Sequence, residues 1–333
     1  PTVGLANKRS ECYHYKRKTM GGINMDNDVL HQYNQFYPSD ITYADGMRTL
    51  MGDAYGRGMA TYVPDIEFAS PAGRTLKIQL LRPALPWDLD KRAPAPLIVF
   101  VQGSAWRYPN AYNELPQLAS FAREGYVVAS IEHRASDEAP FPACLIDVKS
   151  AIRFLRAHAA EYGIDPTRVA IWGTSSGGNL ALLTAATENV SDFDVGDNLN
   201  ESSSVQAVID FFGPSNLVDM MKLRGLTIAA LADPNLFEIS NLIGGPEGDA
   251  LGRLKKLSPG EYLRDGVNLP PHLIIHGDCD GVVPFSQSSD YYKLLRSRGQ
   301  IAHLVKVAGA GHERRFWTKG VLDEVSAFLR AYL

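Results

Sequence analysis

The stretch Arg168-Val169-Ala170-Ile171-Trp172-Gly173-Thr174-Ser175-Ser176-Gly177-Gly178 decides how this chain is read. A short apolar strand, residues 168–172, runs into a G-x-S-x-G pattern, and residues 176–188 continue as a helix. In a chain with 29 glycines the pattern alone is weak, and its place between strand and helix gives it meaning. A serine at such an elbow takes a strained backbone conformation, which requires residues without side chains two positions before and two after it. Gly173 and Gly177 meet that need. The following helix aims its free N–H groups and positive dipole end at the place where negative charge develops on a substrate oxygen. Ser175 is therefore the expected nucleophile and the Ser176 N–H an expected oxyanion donor, with the Ser176 hydroxyl structural. The plainer alternative, a Ser/Gly-rich loop that only caps a helix, fits the placement less well.

Outward from the elbow, short apolar runs alternate with amphipathic helices, the pattern of parallel strands joined by crossover helices. Strands are expected at residues 97–101, 127–131, 168–172, 205–211, 272–276 and 302–307, and helices at 113–124, 142–162, 176–188, 286–298 and 317–332. Upstream, residues 65–69 and 75–82 read as an antiparallel hairpin around Ser70-Pro71-Ala72-Gly73. Residues 1–60 keep no period and are expected to form an extension of helices and loops that is part of a cap, ahead of a main domain at 61–333. Two segments interrupt the alternation. Residues 191–204 are rich in Asp, Asn and Ser, and residues 213–269 are too long for a plain connection and are expected to be a lid.

A serine hydroxyl needs a histidine within hydrogen-bond reach, and that histidine needs a carboxylate to hold its tautomer. The elbow architecture carries them in the order serine, acid, histidine. His312, in Gly309-Ala310-Gly311-His312-Glu313, follows the last strand on a loop whose glycines let the ring reach inward, and it is the expected base. His303 lies inside a strand and His272 and His276 bracket another, so structural roles suffice for them. Two aspartates compete for the acid in His276-Gly277-Asp278-Cys279-Asp280-Gly281-Val282-Val283-Pro284. Asp280 is favoured because the glycine after it and the Val-Val-Pro that closes the loop suit a residue turned toward the sheet edge, leaving Asp278 a turn hydrogen bond. Adjacent residues on one short loop rarely surround one ion, so no metal is expected there, and no cofactor.

After the strand at 97–101 comes Gln102-Gly103-Ser104-Ala105-Trp106, whose small residues let backbone N–H groups approach a substrate carbonyl. Gly103 and Ser104 are the expected further oxyanion donors, and Trp106 and Tyr108 expected pocket residues. The loop resembles the His-Gly-Gly-Gly or His-Gly-Gly-Ala-Trp loop of esterases and lipases, with glutamine for the histidine and serine for one glycine. With Glu132-His133-Arg134-Ala135, Ala139-Pro140-Phe141-Pro142-Ala143, Gly163-Ile164-Asp165-Pro166, Gly173 to Gly178 and Gly309 to His312, residues 65–333 resemble the hormone-sensitive-lipase-like and feruloyl/acetyl-xylan-esterase-like branches of the α/β hydrolases. That resemblance implies an α/β-hydrolase fold, a mostly parallel eight-stranded sheet flanked by helices. It also implies hydrolysis of small acyl esters, acetyl or feruloyl groups on plant polysaccharides among them, by an acyl-enzyme route without cofactor. A peptidase or amidase of the same fold shares the chemistry, and noncatalytic binding homologues typically lose a triad member. Glu132 and Arg134 are expected to form a structural ion pair near the site floor.

Composition narrows the partners. With 45% hydrophobic and 21% charged residues, a net charge of −4 and a pI near 6.1, the chain offers no broad basic face for nucleic acid or an anionic membrane, and a small-molecule ester is favoured. Cys12, Cys144 and Cys279 are too few and too scattered for a disulfide framework, which points to a reducing, cytoplasmic compartment. No apolar run approaches the ~20 residues of a membrane-spanning helix. The polar, basic start lacks a signal-peptide pattern, although a chain opening on Pro1 is compatible with a removed leader. No oligomeric state is fixed by the pattern; a homodimer is one that it admits.

Overall fold

Strands buried on both faces read as unbroken apolar runs, and the runs Leu97-Ile98-Val99-Phe100-Val101 and Val169-Ala170-Ile171-Trp172 occupy the middle of one sheet. The computed structural model describes residues 59–84, 93–188, 190–232, 237–245, 248–264 and 266–333. In chain order its elements are β1 (Ala60–Ala69), β2 (Leu76–Pro83), β3 (Ala95–Val101), α1 (Leu115–Glu124), β4 (Val127–Ile131), α2 (Ala143–Ala157), α3 (Ala159–Tyr162), β5 (Ile164–Thr174), α4 (Ser176–Ala186), β6 (Ala207–Phe211), α5 (Leu217–Leu223), α6 (Phe237–Leu242), α7 (Ala250–Lys256), β7 (His272–Gly277), α8 (Phe285–Ser297), β8 (Ala302–Val307) and α9 (Lys319–Tyr332). The eight strands form one sheet in the order β1-β2-β4-β3-β5-β6-β7-β8. β2 runs antiparallel to both of its neighbours, β1 and β4, and β4, β3, β5, β6, β7 and β8 run parallel. The carboxyl ends of the parallel strands therefore share one edge, and the loops leaving it carry Gln102, Ser175, Phe212, Asp280 and His312.

Each face of the sheet has its own core. Val99, Val101, Ile171, Val208 and Ile274 pack with Leu145, Val148 and Ile152 of α2, Leu180 and Leu183 of α4 and Leu295 of α8. Ile98, Phe100, Trp172, Ile209 and Ile275 pack with Leu118 and Phe121 of α1 and Val321, Val325 and Leu329 of α9. Trp172 centres the second layer, edge-on to Phe100, Phe121 and Phe211 at centroid distances of 5.5, 5.2 and 5.0 Å. Helix α4 is buried along its whole length, which is why its sequence has no polar stripe.

The differences from the expected elements have local causes. β1 starts at Ala60 and not at Asp65, because Pro64 and Asp65 form a bulge, with Asp65 at φ 55°, that an edge strand tolerates. The helix expected over 142–162 breaks at His158 into α2 and α3, and β5 begins at Ile164, ahead of the expected 168. The extension expected over 1–60, except Met59 and Ala60, lies outside the described residues, as does Cys12. Cys144 is buried, Cys279 is exposed, and both are free. Among the described residues no helix is long and apolar enough to cross a membrane.

The polar segment 191–204 is held by charges on α2. Lys149 and Arg153, one turn apart and both buried, bind the two oxygens of Asp194, each at 2.9 Å. The Ser203 hydroxyl donates to the same carboxylate at 2.6 Å. Burial pulls the Lys149 ammonium below its ordinary value while Asp194 holds it up. Removing one member of such a cluster strands the others, at roughly 3–5 kcal/mol. Asp194→Asn is therefore expected to lower the urea-unfolding free energy by about 3 kcal/mol; a loss under about 1 kcal/mol would mean that the surrounding carbonyls satisfy the two cations unaided.

Candidate active site

Ser175 sits between β5 and α4 at φ 50° and ψ −123°, a backbone conformation that a side-chain-bearing residue rarely adopts. It is locked there from both sides. A Cβ on Gly173 would lie 2.0 Å from the Gly177 carbonyl oxygen, and one on Gly177 would lie 2.0 Å from that of Val101. The Ser175 N–H donates to the Phe211 carbonyl at 2.8 Å, tying the elbow to β6.

From the far side of the same edge, His312 Nε2 stands 3.0 Å from Ser175 Oγ and its Nδ1 2.8 Å from Asp280 Oδ2. A carboxylate only accepts, so Nδ1 carries the proton and Nε2 is left to take the Ser175 hydroxyl proton, a tautomer assigned from its partners. The His312 loop is fastened by Gly309, at φ 71°, whose N–H donates to Asp278 Oδ1 at 2.7 Å. Cys279 N–H donates to the Ala310 carbonyl at 2.9 Å, and the Phe212 ring packs on the imidazole at 4.7 Å. Asp278 thus joins two loops, a longer reach than the turn bond expected of it, and Lys306 Nζ lies 3.3 Å from its other oxygen. The Asp280 side chain is fully buried. Burial pushes its carboxyl up, but hydrogen bonds from His276, His312 and the N–H groups of Val282 and Val283 outweigh this and hold it well below the usual carboxylate range.

Several expected site residues stand elsewhere. The Gly103 N–H is donated to the buried Thr174 Oγ1 at 2.8 Å, so it does not face the space beside Ser175. What the position demands of glycine is closeness: a Cβ there would lie 2.6 Å from the Ser175 Cβ. The Ser104 N–H donates at 2.8 Å to Ser176 Oγ, a rotatable hydroxyl next to the elbow serine. Ala105 and Trp106 follow at φ 54° and 57°, turning the loop back on itself. Trp106 is not a pocket residue: it is 4% exposed, packs in the core and donates its ring N–H to Asn179 Oδ1 at 3.3 Å. Asn179 also donates to the Pro214 and Leu257 carbonyls at 2.8 and 2.9 Å, so one side chain of α4 anchors the Gln102–Trp106 loop and both ends of the segment after β6. Nothing in its sequence context marked it.

Tyr108 does line a cavity, of about 580 Å³, with Arg74, Gln102, Ser104, Asn110 and Glu138. The Arg74 guanidinium lies 4.4 Å over its ring, and burial together with a hydrogen bond to Glu132 pushes the phenol up to about 12. Glu132 and Arg134 do not pair with each other. Arg134 instead grips Asp147 of α2 at 2.8 and 2.9 Å, and Glu132 accepts the Lys77 N–H at 2.9 Å. Among the described residues no three His, Cys, Asp or Glu side chains are placed to hold a metal ion.

The family model described as BD-FAE matches residues 86–295. Esterase LipC of Mycobacterium tuberculosis is 31% identical over 229 residues, 66% of this chain and 53% of LipC. The chain spans about half the length of the curated relatives it matches. Among solved structures, a truncated carbohydrate esterase from gut microbiota aligns with a TM-score of 0.67 at 29% identity, covering 83% of this chain and 97% of that one. The butyrate-bound thermophilic esterase Est2 of the planctomycete Thermogutta terrifontis aligns with a TM-score of 0.65 at 26% identity, covering 80% and 93%.

Beneath the elbow lies Asp210 of β6, paired in register with Gly173. Its Oδ1 accepts the Gly213 N–H at 2.9 Å, and a Cβ on Gly178 would lie 2.3 Å from it. Burial pushes this carboxyl from an ordinary 3.8 up to about 8, against the pull of the Gly213 N–H. Between those values the folded chain keeps a proton that the unfolded chain gives up, so stability falls as pH rises through the window and levels off above it. The slope is at most about 1.4 kcal/mol per pH unit. Asp210→Asn is expected to flatten the decline in Tm between about pH 5 and pH 8, gaining on the parent protein toward the alkaline end; melts that stay parallel would contradict this.

Proposed function

The chain belongs to the BD-FAE family of α/β-hydrolase serine esterases, in the hormone-sensitive-lipase-like branch, and from that premise we propose that it hydrolyses small acyl esters through an acyl-enzyme on Ser175. The observation that carries this reading is the unbroken line Ser175 Oγ, His312 Nε2, His312 Nδ1, Asp280 Oδ2, with spacings of 3.0 and 2.8 Å. In the proposed mechanism Ser175 Oγ attacks the ester carbonyl as its proton passes to His312 Nε2, while Asp280 stabilises the imidazolium. The negative oxygen is received by the Ser176 N–H at the start of α4 and by the Ser104 N–H, which exchanges the Ser176 hydroxyl for the substrate. His312 returns the proton to the departing alcohol oxygen. Water then attacks the acyl-serine, giving its proton to His312, and the free acid leaves.

Small acyl groups of the acetyl or feruloyl type, on plant-polysaccharide-derived substrates, are the proposed substrates. The carbohydrate-esterase and butyrate-bound neighbours favour them, as does the polar cavity that Tyr108, Arg74, Asn110 and Glu138 line beside the Gln102–Trp106 loop. Residues 213–269 are proposed as the lid: Leu217, Met220, Leu254 and Leu257 root the segment in the core. Arg224, after α5, hydrogen-bonds the Val282 carbonyl of the acid loop.

Ser175→Ala is expected to lower kcat on nitrophenyl acetate at least about a thousandfold with Tm little changed, since no other group supplies the nucleophile. Undiminished turnover would refute the assignment. Across acetyl, butyryl and feruloyl esters and an aminoacyl amide, short acyl and feruloyl esters are expected to turn over fastest; an amide preferred to every ester would instead favour a peptidase.

A further inference from the structure

The triad carboxylate has a second histidine on it. Asp280 Oδ1 accepts the Val282 and Val283 N–H groups at 2.7 and 2.9 Å, and Oδ2 accepts His312 Nδ1–H at 2.8 Å and lies 3.2 Å from His276 Nε2. His276, at the end of β7, is fully buried, and its Nε2 is also 3.0 Å from the Val283 carbonyl. Both neighbours of that nitrogen are acceptors, so it bears a proton. Its Nδ1 is 2.7 Å from Ser288 Oγ on α8, whose hydroxyl fixes the ring from behind. Phe212 and Phe285 close over the ring at 6.2 and 5.5 Å.

We propose that His276 is a positioning residue for the triad: with Ser288 behind it, it pins Asp280 Oδ2 against His312 and tempers the carboxylate's hold on the His312 proton. This rests on the hydrolase reading given above. Three N–H groups hydrogen-bond a carboxylate cut off from water, and the His276 N–H, which also faces the Val283 carbonyl, lies 3.2 Å from its Oδ2; removing it leaves that buried oxygen with one donor fewer and free to tilt. An N–H shared with Oδ2 also draws charge from the oxygen that stabilises the His312 imidazolium. Without it the imidazolium is held more tightly, and the acid limb of the pH–rate profile moves to higher pH. Other ionisable groups on the elements around this cluster are Asp210 on β6, Tyr291 on α8, Lys306 on β8, Asp278 and Cys279 on the acid loop, Glu313 and Arg314 beside His312, and Arg224, which hydrogen-bonds the Val282 carbonyl. The N–H groups that face Asp280 come from none of them.

The test compares His276→Phe, His276→Gln and Ser288→Ala with the parent on nitrophenyl acetate, reading kcat and KM from about pH 5 to pH 9. His276→Phe keeps the ring volume and is expected to lower kcat by on the order of 10–100-fold with KM nearly constant, and to move the acid limb upward by about half a pH unit or more. His276→Gln, whose amide nitrogen reaches the same place, is expected to recover most of the kcat and the parent's limb. Ser288→Ala should give the Phe phenotype in weaker form. A folded His276→Phe enzyme with the parent's kcat and pH profile overturns the proposal; should that variant not fold, unchanged kinetics in Ser288→Ala overturn it. An active Ser175→Ala protein would instead bring down the hydrolase reading itself, so the two failures are distinct.

Discussion

Ser175 holds a backbone conformation that its own chemistry disfavours, and most of the structure around it exists to keep it there. The turn is possible only because Gly173, Gly177 and Gly103 leave room for backbone to touch backbone within van der Waals limits. It is stable because the Ser175 N–H and the Asn179 side chain tie it to β6 and to the segment beyond. The strain is useful: it lifts the hydroxyl above the sheet edge and aims the start of α4 at the same point.

Once the elbow is fixed, parallel topology supplies the rest. Strands that run the same way deliver their following loops to one edge, so residues far apart in sequence meet there without a dedicated scaffold. His312 and Asp280 reach Ser175 on two loops fastened to each other by the bonds of Asp278 to Gly309 and Cys279 to Ala310. Buried polar groups with partners recur at these joints. Lys149 and Arg153 share Asp194, Arg134 grips Asp147, and His276 bridges Asp280 and Ser288. Groups of that kind stabilise little on balance but make any other arrangement costly.

The sheet and the meeting of Ser175, Asp280 and His312 were legible in the sequence because the places of strands and loops along the chain follow from apolar runs and glycines, both local signals. The failures concern direction. Which way the Gly103 N–H points depends on Thr174, and whether Trp106 faces a pocket or the core depends on Asn179; both partners are more than 70 residues away. Glu132 and Arg134 stand two residues apart in sequence, yet their partners, Lys77 and Asp147, come from β2 and α2. His276 looked like an ordinary strand residue because only the fold of the acid loop returns Asp280 to it.

The chemistry of this site depends on whether the Ser175 hydroxyl is activated where it lies. Treating the intact protein with a fluorophosphonate and mapping the adduct by mass spectrometry tests that directly. One adduct on Ser175, lost when His312 is replaced by alanine, is the expected result; no adduct, or one on another side chain, would contradict the site.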